Sequence, residues 1–175
     1  SCFPKDTKGL VSAGEKYKTN LSIVKSVIKS NQKRVALLTK RVHKILGSNL
    51  KGKKISLLGV TFKPNTDDMR DSTSLKMIPY LCKKGANVTY YDPSGEKEEF
   101  KNFKNCHFKN TIKDNCLNAD LIIILTEWDE FKSIDFKRMV KKKNFKVYDL
   151  RNLYTASEMK RNKIKYYSIG RPEIN

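Results

Sequence analysis

Short apolar segments alternate with helical segments from Lys53 onward, and this alternation constrains the fold more than any other feature of the chain. The apolar segments are KKISLLGV, NVTYYDP, CHFK, ADLIIILTE, FKVYDL and KYYSIG. A segment with helical spacing, DSTSLKMIPYLCKKGA, separates the first two and ends near Gly85. Strands that alternate with helices form parallel sheets, because each crossover brings the chain back to the same edge. The sequence therefore predicts an α/β, Rossmann-like fold with a mostly parallel sheet and helices on both faces.

The strand ends in such a sheet are where a binding site is expected. ADLIIILTE is the most hydrophobic segment and is predicted to lie in the centre of the sheet, where both faces of a strand are buried. Ligands of open parallel sheets bind beyond the carboxyl ends of the strands. The residues at these ends are GVTFKPNTDDMRD, YDP, LTEWDEF and DLRNLY, which include nearly all the unusual polar residues of the chain.

A long amphipathic helix is predicted before the sheet, from about Glu15 to Leu46. Its apolar residues recur at steps of three, four and seven, at Leu21, Val24, Ile28, Val35, Leu38, Val42 and Ile45. Gly47 follows the last of them and suits the left-handed position that often ends a helix. Such a helix would be about 45 Å long, which is longer than a small domain needs. We therefore expect a central helix that joins two domains or two subunits.

The chain is strongly basic, with 37 Lys and Arg against 18 Asp and Glu and a net charge of +19. A charge of this size suits nucleic acid or another anionic surface. However, the lysines are scattered over every segment, and only Val140–Lys146 (VKKKNFK) forms a dense patch. No motif of a DNA- or RNA-binding protein accompanies the charge. We therefore favour a bias in composition over nucleic-acid binding, and anionic small ligands remain open.

Other features of the composition favour a cytoplasmic protein with reduced thiols. No apolar run approaches the roughly 18 residues that a membrane span needs, and the first residues do not have the pattern of a signal peptide. The four cysteines include no CxxC pair, so neither a zinc site nor any other metal site is expected.

Three cations are expected at the carboxyl edge of the sheet. Lys63 and Arg70 follow the first strand, and Arg151 follows the strand FKVYDL. The loop after the first strand has Gly59 alone, so it lacks the GxGxxG sequence that cradles a dinucleotide pyrophosphate. Lysine and arginine side chains bind phosphate, and the arginine fork binds it in a bidentate manner. The cluster predicts a phosphate-containing ligand, while a merely solvated loop is the alternative for Lys63 and Arg70.

The first residues, SCFPKDTKGL, contain a candidate nucleophile. Lys5 is a cation near Cys2 and can lower the pKa of the thiol, while Asp6 can orient a water molecule or a proton donor. Pro4 stiffens the turn that would present them. Spacing alone leaves two interpretations open, a nucleophile for covalent catalysis and an inert thiol.

Four segments together resemble the C-terminal portion of the UDP-glucose/GDP-mannose dehydrogenase family. They are SCFPKDTKGL, GVTFKPNTDDMRDSTSL, LTEWDEF and YDLRNLY, in this order. The resemblance extends over practically the whole chain. It implies that the family's N-terminal NAD-binding domain lies outside this chain, which would begin inside an active site where another domain has been removed.

The resemblance implies an NAD-dependent oxidation of a nucleotide sugar, UDP-glucose, to its carboxylate, UDP-glucuronate, with two NAD reduced in succession. Cys2 would attack the aldehyde to give a thiohemiacetal, a second hydride transfer would give a thioester, and water would hydrolyse it. Asp6 corresponds to the family's aspartate that assists this water. The chain alone is expected to be inactive, because the NAD-binding domain and a catalytic lysine of the family are absent from it.

The resemblance also implies binding residues. The cofactor-binding residues would be Cys2, Phe3, Pro4, Lys5 and Arg70. The substrate-binding residues would be Phe62, Lys63 and Arg151. Of these, Arg151 corresponds to an arginine that contacts the substrate, in some arrangements across a subunit boundary.

On this basis the chain divides into three parts. Residues 1–14 would be a remnant of the active-site loop, residues 15–48 a central helix that also builds a homodimer, and residues 49–175 a UDP-sugar-binding domain. Two alternatives remain open. One is a fragment of a GDP-mannose or UDP-N-acetylhexosamine 6-dehydrogenase, although CFPKD and TEWDEF favour glucose. The other is a non-catalytic, basic, Rossmann-like module that binds nucleic acid.

Overall fold

The computed structural model describes residues 2–174, with side chains from Pro4 onward. Contacts divide the chain into two compact units, Ser1–Val42 and His43–Asn175. The helices are α1 (Cys2–Lys16), α2 (Ser22–Leu46), α3 (Ser74–Lys83), α4 (Ile112–Cys116), α5 (Phe136–Met139) and α6 (Ala156–Arg161). The strands are β1 (Lys54–Leu58), β2 (Asn87–Tyr91), β3 (Cys106–Phe108), β4 (Leu121–Ile124), β5 (Lys146–Asp149) and β6 (Lys165–Ser168). Short 3₁₀ turns lie at Glu98–Phe100 and Asp129–Ser133.

The six strands form one parallel sheet in the order β3-β2-β1-β4-β5-β6. The predicted Rossmann-like class is confirmed, and β4 lies in the centre of the sheet, as its hydrophobicity predicted. The chain builds outward from β1 to β3 on one side and from β4 to β6 on the other. The strand order therefore reverses between β1 and β4, and this switch point is where ligands of such sheets bind.

Both faces of the sheet are covered. On one face, strand residues such as Leu58, Ile122 and Ile124 pack in one cluster with Phe136 of α5 and Met159 of α6. The residues that alternate with them along the strands point to the other face. Those residues are also fully buried, at Ile55, Leu57, Leu121 and Ile123. Strands buried on both faces explain the continuous apolar runs in the sequence.

The N-terminal region differs from the prediction. The first residues, predicted as a loop, lie in helix α1, and the long helix predicted to begin near Glu15 begins at Ser22 instead. Lys18 has a φ of 55°, which a right-handed helix does not accommodate. Asn20 Oδ1 accepts a hydrogen bond of 3.1 Å from the main-chain N–H of Ser22, an Asx turn that starts the next helix. These local features therefore end α1 and move the start of the long helix from about Glu15 to Ser22.

In the C-terminal half, the spacing of apolar residues did not predict the length of one helix or the presence of another. The sequence also predicts a helix around Asp135 to Lys142, of which only Phe136–Met139 forms α5, whereas helix α6 was not predicted. Gly47 has a φ of 97°, which agrees with its predicted place after the end of α2. Among residues 2–174, no helix has both the length and the apolar character that would let it cross a membrane.

Candidate functional site

The loops that follow β1 and β4 meet at the switch point. Gly59 has a φ of 74°, and a Cβ atom at this position would lie only 2.6 Å from Thr126 Cβ. Only glycine combines this backbone conformation with such a close approach. The Thr126 hydroxyl donates a hydrogen bond of 2.7 Å to the carbonyl oxygen of Thr61. The two loops therefore support each other directly.

Asp92, the residue after β2, holds the loop that follows β1. Its side chain is buried, and Oδ2 accepts hydrogen bonds from the main-chain N–H groups of Val60 (2.7 Å) and Thr61 (3.1 Å). In dinucleotide-binding Rossmann domains, an acidic residue near this position binds the ribose of the cofactor. Here the carboxylate is enclosed by its own chain. Asp92 is therefore not free to bind the ribose of a cofactor, and this part of the domain does not form a standard dinucleotide cradle, in agreement with the missing GxGxxG sequence.

Phe62 and Lys63 lie on the loop that Asp92 holds. The main-chain N–H of Phe62 donates to the carbonyl oxygen of Asp68 over 2.9 Å, and the Thr61 hydroxyl lies 3.1 Å from the carbonyl oxygen of Lys63. The Phe62 side chain is half-buried, whereas the Lys63 side chain is exposed and forms no ion pair with any residue that the structure describes. The loop is therefore fixed through its backbone, and the Lys63 ammonium is available to an anion.

Arg151 connects the loops after β1 and β4. Its Nε donates to the carbonyl oxygen of Leu125 over 2.6 Å, and Nη2 lies 3.4 Å from the carbonyl oxygen of Phe62. Glu127 Oε2 lies 2.9 Å from Arg151 Nε, yet this buried oxygen accepts no hydrogen bond within the described part of the chain. The contact is therefore an ion pair without hydrogen-bond geometry. The Arg151 side chain is still 38% exposed, so it can also contact a ligand.

Asp149, the last residue of β5, fixes the backbone at Arg151. Its buried Oδ1 accepts a hydrogen bond of 2.9 Å from the main-chain N–H of Arg151, and its Oδ2 accepts one of 2.8 Å from the Tyr166 hydroxyl. Lys63 and Arg151 thus each lie on a loop whose backbone is held by a buried aspartate.

Arg70 interacts with Asp68. Its Nε and Nη2 donate to the two carboxylate oxygens of Asp68 over 2.9 and 2.8 Å. The side-chain hydrogen bond from Arg70 is the main reason that the pKa of Asp68 lies well below its usual range. The main-chain carbonyl oxygen of Asp68 also accepts a hydrogen bond from the N–H of Phe62. Arg70 is therefore connected through Asp68 to the same loop. Its side chain is 84% exposed, and its predicted contact with NAD stays a prediction.

The predicted catalytic residues are only partly described. The side chains of Cys2 and Phe3 lie outside the described residues. Lys5 and Asp6 are exposed on α1, and Pro4 is half-buried there. Their catalytic and cofactor-binding roles therefore stay predictions.

Several residues that shape the site were not predicted. They are Thr61, Asp92, Thr126, Glu127 and Asp149. All of them lie in or directly after strands, within motifs that the sequence already showed. Their position next to the carboxyl end of a buried strand was the signal that could have identified them. In the part of the chain that the structure describes, no group of three or more His, Cys, Asp and Glu side chains is placed to hold a metal ion.

Comparison with known proteins gives the family. Residues 56–156 match the UDP binding domain of the UDP-glucose/GDP-mannose dehydrogenase family. The UDP-glucose 6-dehydrogenase of Rhizobium meliloti (strain 1021) is 38% identical over 176 residues, which cover 99% of this chain and 40% of that protein. The UDP-glucose 6-dehydrogenase YwqF of Bacillus subtilis (strain 168) is 34% identical, again over 99% of this chain and 40% of the relative. The chain therefore spans about two fifths of the length of these relatives.

Solved structures agree with this assignment. A UDP-glucose dehydrogenase from the hyperthermophilic archaeon Pyrobaculum islandicum superimposes with a TM-score of 0.78 at 27% identity, over 96% of this chain and 36% of that chain. The NDP-N-acetyl-D-galactosaminuronic acid dehydrogenase from Methanosarcina mazei Go1 shares the fold, with a TM-score of 0.77 at 24% identity over 95% of this chain and 37% of that chain. The match over residues 56–156 includes the loop after β1 and Arg151. The chain therefore belongs to the UDP-glucose/GDP-mannose dehydrogenase family and contains its UDP binding domain.

Proposed function

We propose that this chain is the nucleotide-sugar-binding part of an NAD-dependent UDP-glucose 6-dehydrogenase. The observation that carries the proposal is the position of two cations at the carboxyl edge of the sheet. Lys63 lies on the loop after β1, and Arg151, which follows β5, reaches the loops after β1 and β4 with its side chain. Arg151 Nη2 lies 3.4 Å from the carbonyl oxygen of Phe62, the residue before Lys63. Two neighbouring cations at this edge suit a diphosphate, whose charge is shared over two phosphate groups.

The two cations have different roles in this proposal. The planar guanidinium of Arg151 suits bidentate hydrogen bonds to phosphate oxygens, whereas Lys63 provides a point charge. Glu127 keeps the guanidinium near the loop after β4 before the ligand binds, and Phe62 provides a half-buried aromatic surface beside the phosphates.

In the whole enzyme, the product would be UDP-glucuronate. The Cys2 thiolate adds to the aldehyde carbon, the resulting thiohemiacetal loses a hydride and a proton to become a thioester, and water releases the acid and restores the thiol. Asp6 orients this water. NAD, which would accept the hydrides, would be held mainly by a domain outside this chain, with Cys2, Phe3, Pro4, Lys5 and Arg70 contributing contacts from this one.

The binding step is tested with UDP and the purified chain. Replacing Lys63 or Arg151 by Ala should weaken UDP binding in calorimetry by roughly tenfold to a hundredfold, since a hydrogen bond to a charged group contributes about 1.5–3 kcal/mol. The control is Lys141→Ala, which removes an exposed cation in the dense basic patch. Equal weakening in all three variants would show that diffuse charge, rather than a built site, binds the ligand.

The same experiment separates the alternatives. A UDP site raises the melting temperature as the UDP concentration increases. Binding to the phosphate backbone of nucleic acid instead weakens steeply with salt, which a mobility shift with random duplex DNA measures. Comparison of UDP-glucose, UDP-N-acetylglucosamine and GDP-mannose as ligands would distinguish the sugar specificities. Binding of duplex DNA without stabilisation by UDP would contradict the proposal.

The covalent step is tested in the full-length enzyme. Cys2→Ala should lower the formation of UDP-glucuronate by several orders of magnitude, because the covalent route is lost, while UDP-glucose affinity stays nearly unchanged. Near-normal formation of the acid by this variant would show that Cys2 is not the nucleophile.

A further inference from the structure

We propose that Asp92 is the positioning residue of the nucleotide-binding loop, whose conformation presents Lys63 to the ligand. The inference rests on the proposed function for the nature of the ligand, a nucleoside diphosphate. Asp92 does not bind this ligand itself, because its side chain is buried, with 1% relative exposure. It acts through the backbone of residues 60–63.

The contacts of Asp92 Oδ2 fix two consecutive peptide groups. The N–H groups of Val60 and Thr61 point at this one oxygen, at 2.7 and 3.1 Å. Hydrogen bonds to an ionised carboxylate are stronger than those between neutral groups. The direction in which the chain leaves β1 is therefore set by a residue that follows β2.

Thr61 extends this contact toward Lys63. Its hydroxyl lies 3.4 Å from Asp92 Oδ2 and 3.1 Å from the carbonyl oxygen of Lys63, so it can donate to either. Thr61 is itself buried, and Thr126 holds its carbonyl oxygen. A continuous set of hydrogen bonds thus connects the carboxylate of Asp92 to the backbone of the residue that carries the cation.

The other side of the loop backbone is held by different residues. The carbonyl oxygen of Val60 accepts hydrogen bonds from the hydroxyls of Ser72 (2.6 Å) and Ser74 (2.5 Å). These serines cannot replace Asp92, because they donate to a carbonyl, whereas Asp92 accepts from amide groups. Removal of the carboxylate leaves the two buried N–H groups without their partner.

All close neighbours of the Asp92 carboxylate are donors. Its Oδ1 accepts from the main-chain N–H and the hydroxyl of Ser94, at 3.0 and 2.5 Å. Asn has nearly the same shape but replaces one of the two oxygens by an NH₂ group, which only donates. Asn can therefore turn its remaining oxygen toward the N–H groups of Val60 and Thr61 and keep both contacts, so the informative substitution is Asp92→Ala, which removes both oxygens.

The experiment measures UDP affinity, stability and amide exchange on three variants and the wild-type chain. Asp92→Ala should weaken UDP binding about tenfold or more, because affinity falls in proportion to the fraction of loops in the competent conformation. Thr61→Val, which removes only the hydroxyl, should cause a smaller loss. Ser56→Ala is the control, because it removes buried hydrogen bonds to Thr89 and Asn115 away from the loop.

If Asp92 had a merely structural role, its substitution would lower the UDP affinity only in proportion to the loss of stability. We expect Ser56→Ala to lower the melting temperature while UDP affinity is kept. Hydrogen exchange should show that Val60 and Thr61 lose protection in Asp92→Ala but not in Ser56→Ala. If the Asp92 variant does not fold, Thr61→Val decides whether the loop contacts position Lys63. A loss of UDP affinity larger than the loss of stability supports this role, and a proportionate loss contradicts it.

Two negative results are distinct. A wild-type chain that does not bind UDP would overturn the proposed function and, with it, the ligand named here. A wild-type chain that binds UDP, with unchanged affinity and amide protection in Asp92→Ala, would overturn the positioning role alone.

Discussion

Gly59 shows how much of the site depends on a single missing side chain. Its φ of 74° is strained for any other residue, and an added Cβ would also overlap Thr126. Gly59→Ala should therefore lower the free energy of unfolding by about 2–4 kcal/mol, as the sum of backbone strain and overpacking. Urea denaturation of the purified chain measures this loss.

Gly95 is the matched control for this substitution. Its φ is 89°, but a Cβ there would meet no atom within 4 Å. Gly95→Ala should therefore incur only the backbone strain, about 1–3 kcal/mol. If Gly59→Ala and Gly95→Ala lower the free energy of unfolding by the same amount, the close approach to Thr126 does not restrict the residue at position 59.

At the scale of elements, side-chain contacts between neighbouring helices and loops set the ends of the helices. His43 Nδ1 lies 3.0 Å from the carbonyl oxygen of Ser48, and Nε2 lies 2.9 Å from the Tyr80 hydroxyl. A carbonyl only accepts, so Nδ1 carries the proton of the neutral ring and Nε2 accepts from the Tyr80 hydroxyl. Lys146 of β5 donates to the carbonyl oxygen of Ile45 in the same last turn of α2. The end of α2 is therefore joined to α3 and β5.

The strands were predictable because strands of a buried parallel sheet leave a continuous apolar signal in the sequence. Helix α6 and the break before α2 were not, since each depends on one or two residues. Lys18 takes a positive φ without being glycine, and the Thr155 hydroxyl starts α6 by accepting the N–H of Glu158. The spacing of apolar residues along the sequence does not reflect such local contacts.

The site was predictable to a similar degree. Lys63 and Arg151 could be proposed as phosphate ligands because cations after strands of a parallel sheet lie where such ligands bind, and this role stays a prediction. Asp92 was not, because an aspartate after a strand has the same local sequence whether it faces solvent or the amide groups of another loop. Only the path of the loop after β1 decides between these two environments.

At the scale of the whole molecule, the exposed apolar residues of α2 indicate a surface for association. Ile23 is 80% exposed, Val27 is 39% exposed and Leu37 is 65% exposed. At about 3.6 residues per turn these three positions lie on one side of the helix. We expect this side to pair with a second copy of the chain, as the sequence-based prediction of a homodimer requires, because exposed apolar surface of this kind favours association.

The last prediction concerns this surface. The double substitution Ile23→Lys and Leu37→Lys should raise the dissociation constant of the dimer by a hundredfold or more, because burying each Ile or Leu side chain contributes about 1.5–3 kcal/mol. In a symmetric dimer each substitution also occurs twice. Sedimentation velocity over a range of concentrations measures the effect. Gln32→Lys is the control, since it adds a charge at an exposed position on another side of α2. A wild-type chain that sediments as a monomer at every concentration, and that binds no hydrophobic dye, would show that α2 does not mediate association in this chain.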